Sequence, residues 1–149
     1  MSRGRFDLAT NIGLYRHYTY VGFPGDDTHE TVAKSTDWNG TIPRWQSYTS
    51  LNFTRGNYHA SVGLRYLPGI TDDDDGTVTG SFQTWDLSFS YQFGPEVSYL
   101  NHAKVEVGVN NVFNKFGPLD PAIFSDSNVD TATYGSIGRF VYLDLRYKF

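Results

Sequence analysis

Three groups of residues in this 149-residue chain have side chains and spacing that could do chemistry. The first is the run Asp72–Asp75 followed by Gly76, which invites a calcium reading. A loop of the EF-hand kind needs acids at alternate positions, Gly at the sixth and a distant Glu. Here Gly stands fifth and no such Glu follows, so the run reads as a solvated loop tip. The second group is His17, His29, His59 and His102. Metal ligands must converge, and nothing in this spacing brings the four together, so no metal site is expected. The third is Asp86, Glu106 and Asp144, which could be called paired carboxylates. They alternate with Arg65, Lys104, Arg146 and Lys148 on one strand face, which favours a hydrated network of compensating charges. No G-x-S-x-G elbow is present, and the absence of Cys removes thiolate chemistry and disulfides. The chain is not read as an enzyme, and no cofactor is expected.

What must position these groups is a set of strands. Six stretches alternate between apolar and polar residues with period two, at roughly 4–18, 44–54, 57–67, 82–93, 103–113 and 138–149. Strict alternation marks a strand whose two faces meet different environments. The run Trp85-Asp86-Leu87-Ser88-Phe89-Ser90-Tyr91-Gln92-Phe93 follows it without exception. Composition agrees: 11 Phe, 11 Tyr, 3 Trp and 15 Gly favour strands and turns over helices. No segment has a convincing helical period, and no window holds 18 successive apolar residues. The fold class is all-β, an antiparallel meander of six strands. Twelve Lys and Arg against 16 Asp and Glu give a net charge of −4, which argues against a nucleic-acid surface.

The connections are long, short, long, medium and long in turn. In a meander every second connection lies at the same end, so the long loops gather at one end and the turns at the other. Outer-membrane barrels combine short periplasmic turns with longer extracellular loops. Parity then sorts the side chains. One face collects Phe6, Leu8, Thr10, Ile12 and Leu14, then Trp45, Ser47, Thr49, Leu51 and Phe53, then Tyr58, Ala60, Val62, Leu64 and Tyr66. It continues with Trp85, Leu87, Phe89, Tyr91 and Phe93, with Val105, Val107, Val109, Asn111 and Phe113, and with Val141, Leu143, Leu145, Tyr147 and Phe149. None of these positions is charged, whereas a Lys or Arg facing lipid at mid-bilayer costs about 2–4 kcal/mol.

A soluble sandwich also has one apolar face, so height along the strands must separate the two cases. The turn end of the apolar face carries Phe6, Phe53, Tyr58, Phe93, Tyr147 and Phe149. The loop end carries Trp45, Tyr66, Trp85 and Phe113, with Tyr18 and Tyr20 extending strand one. Between them lie mainly Leu, Ile, Val, Ala and Thr, with Phe89 and Tyr91 blurring the band. Two aromatic belts around an aliphatic band suit the two headgroup regions of a bilayer. Yet six strands are fewer than the roughly eight of the smallest single-chain barrels, and open edges in lipid leave unpaired backbone groups.

The segment Val105–Phe149 resembles the C-terminal end of TonB-dependent outer-membrane receptors. The carriers are VGVNNVFNKFGP (Val107–Pro118), a polar loop with Asp130–Tyr134, and the final strand GRFVYLDLRYKF (Gly138–Phe149). Upstream, Ile42-Pro43-Arg44-Trp45, a short turn and Tyr58–Tyr66 look like late hairpins of that family. The resemblance covers essentially residues 1–149, as about the last six strands of a 22-stranded transmembrane β-barrel with a plugged lumen. It implies that a signal peptide, a plug domain with its TonB-coupling segment and about sixteen earlier strands are missing from this sequence. The expectation is thus a truncated receptor in the bacterial outer membrane.

Further expectations follow from the resemblance. The implied function is energy-coupled uptake of a scarce ligand (a siderophore, haem, cobalamin or a glycan). The implied partners are the lipid bilayer, the outer-membrane assembly machinery, and the rest of the barrel with its plug and TonB. Leu143, Leu145, Tyr147 and the final Phe149 look like the terminal signal read by the assembly machinery, while also serving as a lipid-facing strand. The loop aromatics Trp38, Phe116, Phe124 and Tyr134 could touch a ligand such as a sugar, or pack the loops together. The rival reading is a soluble β-sandwich or lectin-like binding module. A third is a small pore in which several copies complete one barrel.

Overall fold

The computed structural model describes residues 3–36, 40–73, 76–120 and 128–148. In chain order its elements are β1 (Arg5–Leu14), β2 (Thr19–Val21), β3 (Thr28–Glu30), β4 (Lys34–Thr36), β5 (Gly40–Ile42) and β6 (Trp45–Arg55). They continue with β7 (Tyr58–Leu67), β8 (Thr71–Asp72), β9 (Phe82–Gln92), β10 (Ala103–Asn110), the one-turn helix α1 (Thr131–Tyr134) and β11 (Phe140–Tyr147). The long strands form one antiparallel sheet in the order β1-β6-β7-β9-β10-β11, so each strand lies beside its neighbour in the meander. At one end Gly56, with φ +57°, reverses the chain between β6 and β7. That left-handed conformation costs glycine nothing and most residues a steric clash.

The register carries the alternation across all six strands. Phe6 stands opposite Phe53 and Leu8 opposite Leu51, Val62 opposite Leu87, Phe89 opposite Val107, and Val107 opposite Leu143. Because the side-chain period is two, a slip of one residue anywhere would turn a whole strand inside out. One face is therefore continuous and uncharged, mainly apolar with the Thr10–Thr49 pair within it, and it is exposed: Leu8 by 71%, Ile12 by 69% and Leu145 by 73%. The belts are present as contacts. At the turn end Phe6 and Phe53 lie 4.7 Å apart, and Tyr58 lies 4.8 Å from Tyr91 and 6.1 Å from Phe89. At the loop end Trp45 stacks on Tyr66 at 5.2 Å. The stagger of the strands thus puts Phe89 and Tyr91 into the lower belt beside Tyr58, removing the blur that parity alone leaves.

Three strands are shorter than their alternation suggests, and the sixth, expected over 138–149, runs from Phe140 to Tyr147. Strand one was expected to reach residue 18, with Tyr18 and Tyr20 extending the belt, but the ladder ends at Leu14 and a last bond from Tyr15 N to Arg44 O. Tyr20 lies in β2 and stacks on His29. The fifth strand ends at Asn110, because Asn111 turns left-handed at φ +52° and is buried rather than facing outward. Alternation records residue type; it does not record where the partner strand stops.

The three long connections meet at one end and fold into a cap. β2 pairs with β3, while β4 lies between β5 and β8 in a small three-stranded sheet whose β4–β8 pair is parallel. Among the described residues, the fully buried side chains are here: Leu67, Thr31, Asp72 and Ser35. Phe82 packs edge-on against Tyr134 at 5.1 Å, with Leu67 and Val129 beside them. The acidic run is accordingly not a solvated tip throughout. Asp72 is 1% exposed on β8, and Asp73 pairs with Lys34 at 2.6 Å; Asp74 and Asp75 lie outside the described residues.

Candidate functional site: the polar wall and its cap

On the second face of the sheet, charges are paired within single strands. Residues i and i+2 of a strand share a face, close enough for long side chains to meet. Arg5 Nε reaches Asp7 Oδ2 at 2.8 Å, Lys104 Nζ reaches Glu106 Oε2 at 2.7 Å, and Arg146 Nε reaches Asp144 Oδ1 at 2.8 Å. The Tyr142 hydroxyl donates to Glu106 Oε1 at 3.3 Å, and His59 Nδ1 lies 3.1 Å from Thr54 Oγ1. Between these groups the wall is low. Ser61 stands opposite Ser88, and Gly63 and Gly108 lie buried beneath the rings of Tyr48 and Tyr142. A side chain at either glycine would collide with its covering ring.

The upper part of the same face is wired differently. Asp86 meets no cation among the described residues; its Oδ1 accepts from Asn111 N at 2.8 Å. Arg65 pairs with no carboxylate among the described residues; its Nη2 donates to the Thr133 carbonyl at 2.7 Å. The expected network of compensating charges is therefore real for Glu106 and Asp144, whereas Asp86 and Arg65 instead anchor loop backbone. The turn that Asp86 anchors is the NNVFN stretch. Asn111 Nδ2 donates to Lys115 O and its Oδ1 accepts from Lys115 N, while Asn114, also left-handed at φ +52°, accepts from Arg139 N. Asn tolerates the left-handed region and bonds nearby backbone, so this motif ends β10 and holds the start of the last strand.

Asp130 ties the cap together. Its Oδ2 accepts from Thr41 N at 2.8 Å, and its Oδ1 accepts from Ala132 N and Thr133 N as the N-cap of α1. Thr133 Oγ1 returns a bond to Thr41 O at 3.0 Å. Burial pushes the Asp130 carboxyl up, but the bonds from Thr133 and Thr41 outweigh it and hold it below the usual value. Burial and the neighbouring Asp130 charge push the Tyr134 hydroxyl up to about 12. On the outer ribbon, the Glu30 carboxylate clamps the base of the β2–β3 hairpin. It accepts from Tyr18 N and Val32 N and lies 2.9 Å from His17 Nδ1, which brings it down to about 2.

A concavity of about 530 Å³ opens where wall and cap meet, with Arg65, Thr84, Asp86, Tyr134 and Phe140 in its lining. Of the loop aromatics, Tyr134 is 6% exposed and packs on Phe82 while bordering this concavity. Phe116 is 58% exposed and lies against Gly138. Trp38, Phe124 and Phe149 lie outside the described residues. Leu143, Leu145 and Tyr147 point outward from β11. The sequence reading missed the anchoring roles of Arg65, Asp86 and Asp130. The signal for Asp130 was present, an Asp directly before the short polar run Thr131-Ala132-Thr133.

Residues 3–112, running from the start of the sheet through β10, match the family described as TonB dependent receptor-like, beta-barrel. The chain belongs to this family. The expectation drawn from the resemblance therefore holds at the level of the barrel domain, and an all-β sheet with one apolar exposed face is what such a domain requires. The TonB-dependent receptor barrels are outer-membrane receptors and transporters. No solved structure matches the chain.

Proposed function

We propose that the six strands form part of the wall of a 22-stranded plugged receptor barrel for energy-coupled uptake of a scarce ligand. The apolar face lies against lipid, the polar wall faces the lumen, and the cap sits on the extracellular side. The observation that carries this reading is the uncharged face left exposed on all six strands, bounded by an aromatic belt at each end. A soluble sandwich would cover that face with a second layer; here the buried side chains are concentrated in the cap. Among the described residues no strand lies beyond β1 or β11 in the sheet, and since open edges in lipid cost several kcal/mol per unpaired group the reading calls for further strands. Those strands belong to the rest of the receptor, with its plug and the TonB coupling made through it. In this arrangement the residues are non-enzymatic and need no cofactor.

Leu143, Leu145, Tyr147 and Phe149 act as the signal read by the assembly machinery before β11 enters the wall. Tyr134 borders the concavity at the mouth, Phe116 lies against Gly138 of its lining, and Trp38 and Phe124 are carried by the same long connections in sequence. Carbonate washing of membranes from cells making the protein tests the reading. Retention in the membrane pellet is expected; release into the soluble fraction would favour the sandwich.

A further inference from the structure

The geometry points to a binding site for a carboxylate-bearing small molecule at Arg65, an assignment that rests on the polar wall facing the lumen. Arg65 is half-buried and borders three adjoining concavities, one toward Gln46 and Tyr48, one toward Pro43 and Thr133, and one toward Thr84 and Phe140. A guanidinium has five N–H donors in a planar fork whose best partner is an oxyanion held by two parallel bonds. Here, among the described residues, a single bond reaches a neutral carbonyl, that of Thr133. Lower on the same wall, Arg5, Lys104 and Arg146 each have a carboxylate two residues away. The corresponding position two residues before Arg65 is Gly63 and two residues after is Leu67, so β7 supplies none. Across the sheet, the nearest acid by register is Asp86, opposite Gly63, and it is engaged by Asn111 N.

The surroundings define the ligand further. Among the described residues, Arg65 is the one cation bordering the main concavity, and Asp86 borders it too. A doubly charged phosphate would meet one guanidinium and one repelling carboxylate; a singly charged carboxylate needs only the fork. Ile137 and Phe140, exposed by 71% and 52%, line the same space and offer apolar surface to the body of the molecule. The occupant is therefore an apolar or aromatic carboxylate. Its two oxygens take the free N–H groups of Arg65, or replace the Thr133 carbonyl and so loosen α1 from the wall.

The test is a titration of the full chain in detergent micelles with benzoate, with benzamide as the uncharged control, read by NMR at the Arg65 side chain and the Thr133 amide. Benzoate should shift both signals saturably and benzamide should not. Arg65→Gln should bind benzoate about tenfold more weakly, the loss expected for one charge-assisted pair. Asp86→Asn keeps the oxygen that accepts from Asn111 and removes the repulsion, so it should bind roughly threefold more tightly. Equal shifts with benzamide, unchanged affinity in Arg65→Gln, or weaker binding in Asp86→Asn would each overturn the site. Membrane retention is measured separately, so a protein held in the membrane that fails these titrations loses the carboxylate site and keeps the barrel reading.

Discussion

The cap and the sheet follow opposite burial rules. In the cap, polar side chains are enclosed: Thr31, Ser35, Asp72 and Asp130 are all at most 9% exposed. In the sheet, large apolar side chains such as Phe6, Leu8 and Leu143 stand out by more than half of their surface. A chain folding in water alone would pay for both choices. With lipid against one sheet face and water around the loops, each becomes the low-energy arrangement. Burying polar groups is tolerable when they are hydrogen-bonded, and exposing apolar ones is tolerable when the solvent is hydrocarbon. On the proposed membrane reading, two solvents shaped one chain.

The strongest way to break the comparison is to put charge on the lipid side. Leu51→Arg, in the middle of β6, should destabilise the inserted protein by about 2–4 kcal/mol, while Ser61→Arg on the polar wall should cost under about 1. Urea unfolding in lipid vesicles measures both, and equal costs would mean that the two faces meet the same solvent. In the cap, Asp130→Ala leaves three backbone N–H groups without their acceptor and should cost about 2 kcal/mol. Protease should then cut the loops faster, while the protein stays in carbonate-washed membranes.

The same residue gives the cap a pH response. The folded Asp130 carboxyl lies below its ordinary value of 3.8, so its contribution is complete above that value. As pH falls below 3.8 through the lowered folded value the contribution is lost, and loop protection against an acid-active protease should decline there. A smaller effect is expected on the polar wall. Gly108→Ala forces the Tyr142 ring aside and should cost about 1 kcal/mol by overpacking, read as a lower urea midpoint with an unchanged slope. The smallest change is at the outer ribbon. The Glu30 clamp, with its carboxyl at about 2 instead of 4.5, should protect the Tyr18 and Val32 amides from hydrogen exchange down to about pH 2. In Glu30→Gln that protection should weaken without a change in membrane retention.

The sheet was largely legible in the sequence because its pattern is local. A period of two follows from backbone geometry, and Trp85 to Phe93 displays it without reference to any other residue. Strand ends were less legible. Asn111 fits the alternation by type, yet Asp86 takes its amide and the chain turns. The site was least legible. Arg65 and Asp86 were read as members of one charge network because they share a face, whereas each bonds to backbone of the β10–β11 connection, Asp86 at its start and Arg65 in α1.

The sequence by itself determined the all-β class, the order of the meander, the uncharged face and the end at which the loops gather. Each of these depends on spacing within one strand or on the parity of connections. Only the tertiary structure decided that Asp72 is buried, that Asp130 joins two loops, and that Arg65 is left with a carbonyl for a partner. Thr41 and Asp130 are 89 residues apart in sequence and share a hydrogen bond in the cap. Such contacts depend on which loops arrive together when the sheet aligns its strands, and no short-range pattern records that arrival.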